Sequence, residues 1–182
     1  MNAMTIAYPE RAALEFADVL ARHQSRVYSI ACRILQDPAT AEEVAQDVFL
    51  ALHRNLSSIT SEEHLLHWLR RVTVQRATDA HRRRAVRTDF GAEELEEETL
   101  VAPAAFDPLP QFEAEGSVGR ILGGLPALQR TIVVLRYQED MTPTEIAETL
   151  SMPVNTVKSH LQRSLKQMRT RLENQRKEVR HA

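Results

Sequence analysis

Apolar residues recur every three or four positions along most of this 182-residue chain, a period that specifies helices and leaves little for strands. Residues 9–35 carry it through Leu14, Val19, Val27, Ile30, Ile34 and Leu35. Residues 40–54 carry it through Ala41, Val44, Ala45, Val48, Phe49 and Leu52, one side of a second helix. Glycine, which would loosen such helices, occurs only five times. The first helix should stop at Asp37-Pro38, because a residue before proline avoids the helical region. Thr40 and Glu43 have the spacing of a capping box for the next one. A polar loop, residues 55–61, then leads to a long helix over residues 61–84. Its buried side is Leu65, Trp68, Leu69 and Val72, with Ala80 at its far end. The expected fold class is all-α.

Charge divides the chain where the period fails. Between residues 88 and 115 stand Asp89, Glu93, Glu94, Glu96, Glu97, Glu98, Asp107, Glu113 and Glu115, with no Lys or Arg among them. The same stretch holds Pro103, Pro108 and Pro110. It reads as an acidic flexible linker, with room for a short helix over residues 92–100. From residue 154 onward the balance reverses: Lys158, Arg163, Lys166, Arg169, Arg171, Arg176, Lys177 and Arg180 face only Glu173 and Glu178. The net charge of −2 therefore averages an acidic middle and a basic end, and the basic end suits either a nucleic-acid surface or a solvated helix. The expected organisation is two small helical domains, residues 1–86 and 117–182, joined by the linker 87–116.

The most informative pattern lies in residues 141–168. Thr142 caps, Pro143 suits the first helical position, and Glu145 completes a capping box. Ile146, Ala147 and Leu150 make a narrow apolar stripe on a two-turn helix, which Ser151-Met152-Pro153 ends. The following helix has Val157, Leu161, Leu165, Met168 and Leu172 on one side and Lys158, Ser159, Gln162, Arg163 and Lys166 on the other. Before this pair, residues 127–138 read as a helix carrying Leu128, Ile132, Val133 and Leu135. A short helix buttressing a second, polar-faced one is a helix-turn-helix, the arrangement of a major-groove reader. Arg can pair with guanine and Gln with adenine in that groove. An ordinary helical hairpin with a charged solvent face has the same spacing.

Leu125-Pro126, Arg130, Leu135-Arg136, Met141-Thr142, Glu145-Ile146-Ala147 and Thr156-Val157-Lys158-Ser159 resemble the C-terminal domain of extracytoplasmic-function (ECF) sigma factors. Response regulators also end in such a motif. The first half separates the two, since Asp37, Glu43, Gln46-Asp47, Phe49, Trp68-Leu69-Arg70-Arg71-Val72, Asp79 and Arg82 resemble the N-terminal domain of the same family, in order. The resemblance implies that Arg136, Lys158, Ser159, Gln162 and Arg163 contact the minus-thirty-five promoter element. It implies that Arg71, Gln75, Arg76, Arg82 and Arg83 contact the melted minus-ten element, Arg70 and Arg84 adding charge. Arginine suits this task because it pairs with phosphate and stacks on exposed bases. It implies that Glu43, Gln46 and Asp47 dock on core RNA polymerase, at the clamp helices of the largest subunit, with the flap as a second contact. An anti-sigma factor is the further partner it implies, and residues 55–61 would form a base pocket. Gln75 and Leu65 stand where the family usually has asparagine and phenylalanine. Trp68 reads as core rather than as a base-stacking platform.

The smaller signals exclude other classes. His64 and His67 are three apart on a helix, but only His53 is near them and no Cys or carboxylate completes a metal set. No cofactor or metal is expected. There is no Gly-rich phosphate loop, nucleophile elbow or metalloprotease helix, so enzymatic chemistry is not expected. The single cysteine, Cys32, precludes an internal disulfide and fits a reducing compartment. No stretch reaches the roughly 20 apolar residues of a membrane span. Residues 1–11 lack an apolar run of signal-sequence length, so the expected location is cytoplasmic. The function expected is a specificity factor that brings polymerase to promoters. A stand-alone helix-turn-helix regulator and a module that sequesters other factors are the alternatives.

Overall fold

Helix-breaking and capping residues set the element order of the computed structural model, which describes residues 15–89 and 117–181, with side chains for 15–84 and 118–174. Helix α1 (Phe16–Leu35) ends as Gln36 turns left-handed, at φ 59°, its amide closing on the Cys32 carbonyl. Helix α2 (Pro38–Asn55) starts with proline at its first position, where a missing N–H costs nothing. Its cap is Asp37, whose carboxylate accepts from the Ala39 amide at 3.2 Å and the Thr40 hydroxyl at 3.1 Å. This corrects the expected Thr40–Glu43 box: a carboxylate three residues earlier already satisfies the first free amide. Burial raises the Asp37 pKa, but Thr40 and the Arg84 guanidinium outweigh it and hold the carboxyl below its usual range.

A single 3-10 turn, Leu56–Ser58, lies in the expected loop and leads to α3 (Glu62–Asp89), which runs beyond residue 84. The rest of the expected linker, with its candidate helix, lies outside the described residues. Helices α1, α2 and α3 bury Ala41, Val44, Ala45, Val48, Phe49 and Leu52, the whole of the expected α2 stripe, against Ile30, Ile34, Leu65 and Leu69. Cys32 is buried among them, and burial pushes its thiol pKa up. Trp68 and Val72 pack on this core while only partly buried.

The second half consists of α4 (Ser117–Gly123), α5 (Ala127–Tyr137), α6 (Pro143–Thr149) and α7 (Val154–His181). Every residue from Gln129 to Leu135 is buried, so α5 is enclosed on most sides instead of amphipathic. Val134 takes an inward place that the spacing did not assign, whereas Leu128 is 41% exposed. Leu165 and Leu172, grouped by spacing with Val157 and Leu161, are 44% and 41% exposed. The reason is length: α6 has seven residues and α7 has 28, so α7 outruns its buttress. Arg171, far along α7, donates to the Gly124 carbonyl at 2.6 Å and fills the space where a side chain at 124 would start.

The two halves also touch. Helix α1 packs on α2 and α3 and also on α5, and one continuous apolar cluster joins Val27 and Ile30 to Val134, Leu135 and Ile146. Among the described residues there is no strand.

The α6 start is built as the residue spacing predicts. The Thr142 amide donates to Glu145 Oε2 at 2.7 Å, and the Glu145 amide donates to Thr142 Oγ1 at 3.3 Å. The Thr142 hydroxyl also donates to Glu145 Oε2, at 2.7 Å, and the amide and hydroxyl together hold the Glu145 carboxyl below its usual range. Its folded pKa is thus depressed, so its contribution is complete above the ordinary carboxylate range and is lost as pH falls through the folded value. Thr142→Ala should cost about 1 kcal/mol of stability in denaturant titrations at neutral pH, and the deficit should shrink in acid. Ser151 is left-handed at φ 52° in the turn after α6. Ser151→Gly should relieve about 1 kcal/mol of backbone strain and raise the thermal midpoint.

Candidate nucleic-acid interface

Helix α6 buries Ile146 and Ala147 and α7 meets it with Val157 and Leu161, while Ser164 is buried beside Gln129 where α7 packs on α5, which leaves one face of α7 outward. There Lys158, Ser159, Gln162, Arg163 and Lys166 are all exposed, one and three residues apart, on a single helical face. The Ser159 hydroxyl donates to the Asn155 carbonyl at 2.9 Å and Arg163 Nε to the Ser159 carbonyl at 3.2 Å. Both side chains therefore lie along the helix. His160 sits beside them, and burial together with Arg163 pushes its pKa below the usual histidine range. The positive charge of this face thus comes from Lys and Arg. Arg136 stands apart: its Nη1 donates to the Met141 carbonyl at 3.1 Å, and its guanidinium lies over the Tyr137 ring at 5.9 Å. It braces the turn between α5 and α6.

A second basic surface lies on α3. Trp68, Val72, Gln75, Arg76, Arg82 and Arg83 line one groove, with Ala51 and Asp79. Trp68, expected as core, packs on the core while only partly buried and also lines this groove. The cations here are partly neutralised. Arg76 pairs with Asp47 at 3.1 Å and Arg82 with Asp79 at 3.2 Å. Arg71 and Gln75 lie on a neighbouring cleft whose opposite wall is Thr149, Leu150 and Ser151, the turn of the helix-turn-helix. Leu65, where an aromatic was the family expectation, is fully buried.

A third surface is the outer face of α2. Glu43, Gln46 and Asp47 are exposed there, on the side away from Val44 and Val48. Leu50 joins them at 58% exposure and was missed by sequence reasoning. Its signal was available: Leu50 falls outside the stripe of Val44, Val48 and Leu52.

The α3 surface also bears on the contact between the halves. Glu139, at the end of α5, accepts from Arg26 Nε on α1 at 2.8 Å and from Arg70 Nε on α3 at 2.9 Å. Its side chain is only 1% exposed. Beside it, Gln138 accepts from Arg33 at 2.8 Å and donates to the Ser29 hydroxyl at 3.3 Å. Arg70, counted from sequence among the DNA-facing cations, is thus occupied by a carboxylate. Among the described residues no group of three or more His, Cys, Asp or Glu is arranged to hold a metal, and no helix is long and apolar enough to cross a membrane.

Comparison with known proteins follows the same division. Residues 19–87 match the family described as Sigma-70 region 2, and residues 115–168 match Sigma-70, region 4. The RNA polymerase sigma-E factor of Streptomyces avermitilis is 30% identical over 161 residues, 88% of this chain and 87% of its own. The ECF RNA polymerase sigma factor SigW of Bacillus subtilis is 27% identical over 165 residues, 86% of this chain and 88% of its own. In fold the chain resembles the sigma factor RpoE of Bartonella quintana in complex with the anti-sigma factor NepR, with a TM-score of 0.64 at 19% identity. That match covers 87% of this chain and 96% of the other. CnrH in complex with the cytosolic domain of CnrY gives a TM-score of 0.57 at 21% identity, over 87% and 88%. With an exposed polar face on its helix-turn-helix, both regions in order and relatives along most of its length, the chain belongs to the ECF sigma factors of bacterial RNA polymerase.

Proposed function

We propose that this sigma factor binds core RNA polymerase and divides promoter recognition between its halves. Residues 1–86 hold the enzyme and capture the melted minus-ten strand, and residues 117–182 read the minus-thirty-five duplex. The observation that carries this reading is the α7 face, where Lys158, Ser159, Gln162, Arg163 and Lys166 are exposed together on the second helix of a capped helix-turn-helix. A helix so presented fits the major groove, with Lys neutralising phosphate and Arg163 and Gln162 in reach of base edges. The α3 groove supports the second assignment. Trp68 offers a partly open ring among Gln75, Arg76, Arg82 and Arg83, and unpaired bases stack on aromatic side chains while arginines hold the backbone.

The α2 face supports the docking assignment, since Leu50 adds an apolar centre to the polar ring of Glu43, Gln46 and Asp47. On the C-terminal half, Val118, Leu122, Val133, Leu165 and Met168 line an apolar cleft that suits the polymerase flap. An anti-sigma factor is the remaining proposed partner, supported by the complexes in which RpoE and CnrH are found. Nothing in these roles requires bond chemistry by the chain itself, so its proposed part is regulatory and its proposed location cytoplasmic.

Run-off transcription with purified core polymerase on a promoter library tests the reading. Transcripts should start at defined sites only when core and this protein are both present. Promoter binding of equal strength without core would instead identify a stand-alone regulator. Arg163→Ala should weaken recognition of one upstream base pair by about 1–3 kcal/mol, and Lys158→Ala should weaken all sequences alike and flatten the salt dependence. Trp68→Leu keeps an apolar wall but removes the ring. It should lower affinity for a bubble template by about 1–3 kcal/mol while leaving core binding intact, as measured by fluorescence anisotropy.

A further inference from the structure

Arg70 cannot serve a phosphate and Glu139 with the same donors. Its Nε already points at Glu139 Oε2, 2.9 Å away, and Arg26 closes on the same oxygen from the other side. The carboxylate is almost wholly enclosed, and Gln138 clasps Ser29 and Arg33 one residue away. The three helices that meet here carry every residue of the proposed minus-ten surface or pack directly on it. Across the neighbouring cleft, Thr149, Leu150 and Ser151 face Arg71 and Gln75.

We propose that Glu139 is an internal latch: its carboxylate takes the place of a nucleic-acid phosphate on Arg70 and holds the two halves closed, with the helix-turn-helix turn lying against the single-strand surface of α3. The inference rests on reading α3 as that surface. In the closed form a DNA strand meets a buried negative charge at Arg70 and a protein wall beside Gln75. Opening separates α5 from α1, exposes the apolar contact of Val27 and Ile30 with Val134 and Leu135, returns Glu139 to water and frees both guanidiniums.

The ion set is suited to such a switch. A buried carboxylate and its guanidiniums regain hydration when separated, which offsets most of the attraction they lose, so a partner that supplies its own anions can open the pair. Removing the carboxylate alone is different, because it leaves Arg26 and Arg70 facing each other uncompensated. DNA and the latch then compete for one state, and the competition is reciprocal: whatever opens the halves raises DNA affinity, and DNA favours the open form.

The test uses the full chain and four proteins: wild type, Glu139→Gln, Arg26→Ala and the control Glu148→Gln, which removes an exposed negative charge outside the latch. Each is measured by small-angle scattering and by anisotropy of a fluorescein-labelled single-stranded DNA of mixed sequence, with circular dichroism to check helix content. Glu139→Gln should increase the radius of gyration and tighten DNA binding about fivefold or more beyond Glu148→Gln, the low end of coupling between linked sites. Arg26→Ala should also expand the chain and bind DNA more tightly, although it removes a positive charge. An unchanged radius in both latch variants, a DNA gain in Glu139→Gln no larger than in Glu148→Gln, or weaker DNA binding by Arg26→Ala would overturn the latch. Should Glu139→Gln lose helix content, Arg26→Ala decides alone. Failure of the sigma reading shows separately, as wild-type protein that does not direct core polymerase, whatever the scattering reports.

Discussion

A buried carboxylate must find enough positive charge to offset its lost hydration, and in this chain Glu139 finds it by drawing on two helices of the other half. Arg26 on α1 and Arg70 on α3 both reach it. That requirement makes α1 a shared element. One side of it carries Val27, Ile30 and Ile34 into the core of the first three helices, while Arg26, Ser29 and Arg33 reach the end of α5. The enclosed state of α5, with even Gln129 and Arg130 buried, follows from having α1 on one side and α7 on another. Burial also pushes the Arg130 pKa down.

The two basic surfaces differ in how readily they can accept an anion. On α7, the described cations have no carboxylate within ion-pair distance, so phosphate can approach them directly. On α3, Arg76, Arg82 and Arg84 each hold an acid: Asp47, Asp79 and Asp37. Exposed pairs of this kind contribute roughly 0–1 kcal/mol and exchange partners easily. The α3 groove is therefore charged yet shielded, with Trp68 supplying a contact that does not depend on charge. Asp47 belongs at once to the outer face of α2 and to the pair with Arg76, so an interaction at one surface is felt electrostatically at the other.

Where local chemistry decided the structure, the sequence was readable. The α2 stripe from Ala41 to Leu52 is buried residue for residue, and the Thr142–Glu145 box is present in both its hydrogen bonds. Both depend only on residues within a few turns of one another. Competition between neighbours was harder to read: Asp37 pre-empts Thr40 as the cap of α2, although both residue types cap well. Long-range contact was hardest. Nothing in the spacing of α5 revealed that Val134 would face α1, nor that Glu139 would reach Arg70, 69 residues away in the chain. The exposure of Leu165 and Leu172 has the opposite cause, because periodicity describes a helix without saying where its neighbour stops. The site residues were legible mainly through family resemblance. Their exposure on common faces came from the fold, and Leu50 was visible only as an apolar residue out of step.

The clasp between Arg171 and Gly124 gives α7 a second part. Helix α4 begins at Ser117, directly after the acidic stretch, and ends at Gly123, where the guanidinium of Arg171 grips the next carbonyl. The exposed polar residues and the gripping residue belong to the same helix, less than one full heptad separating Lys166 from Arg171. The end of α4 is therefore tied to the same helix that presents the exposed cations. Since a side chain at 124 would begin where the guanidinium sits, any residue larger than glycine there must displace Arg171 from this clasp.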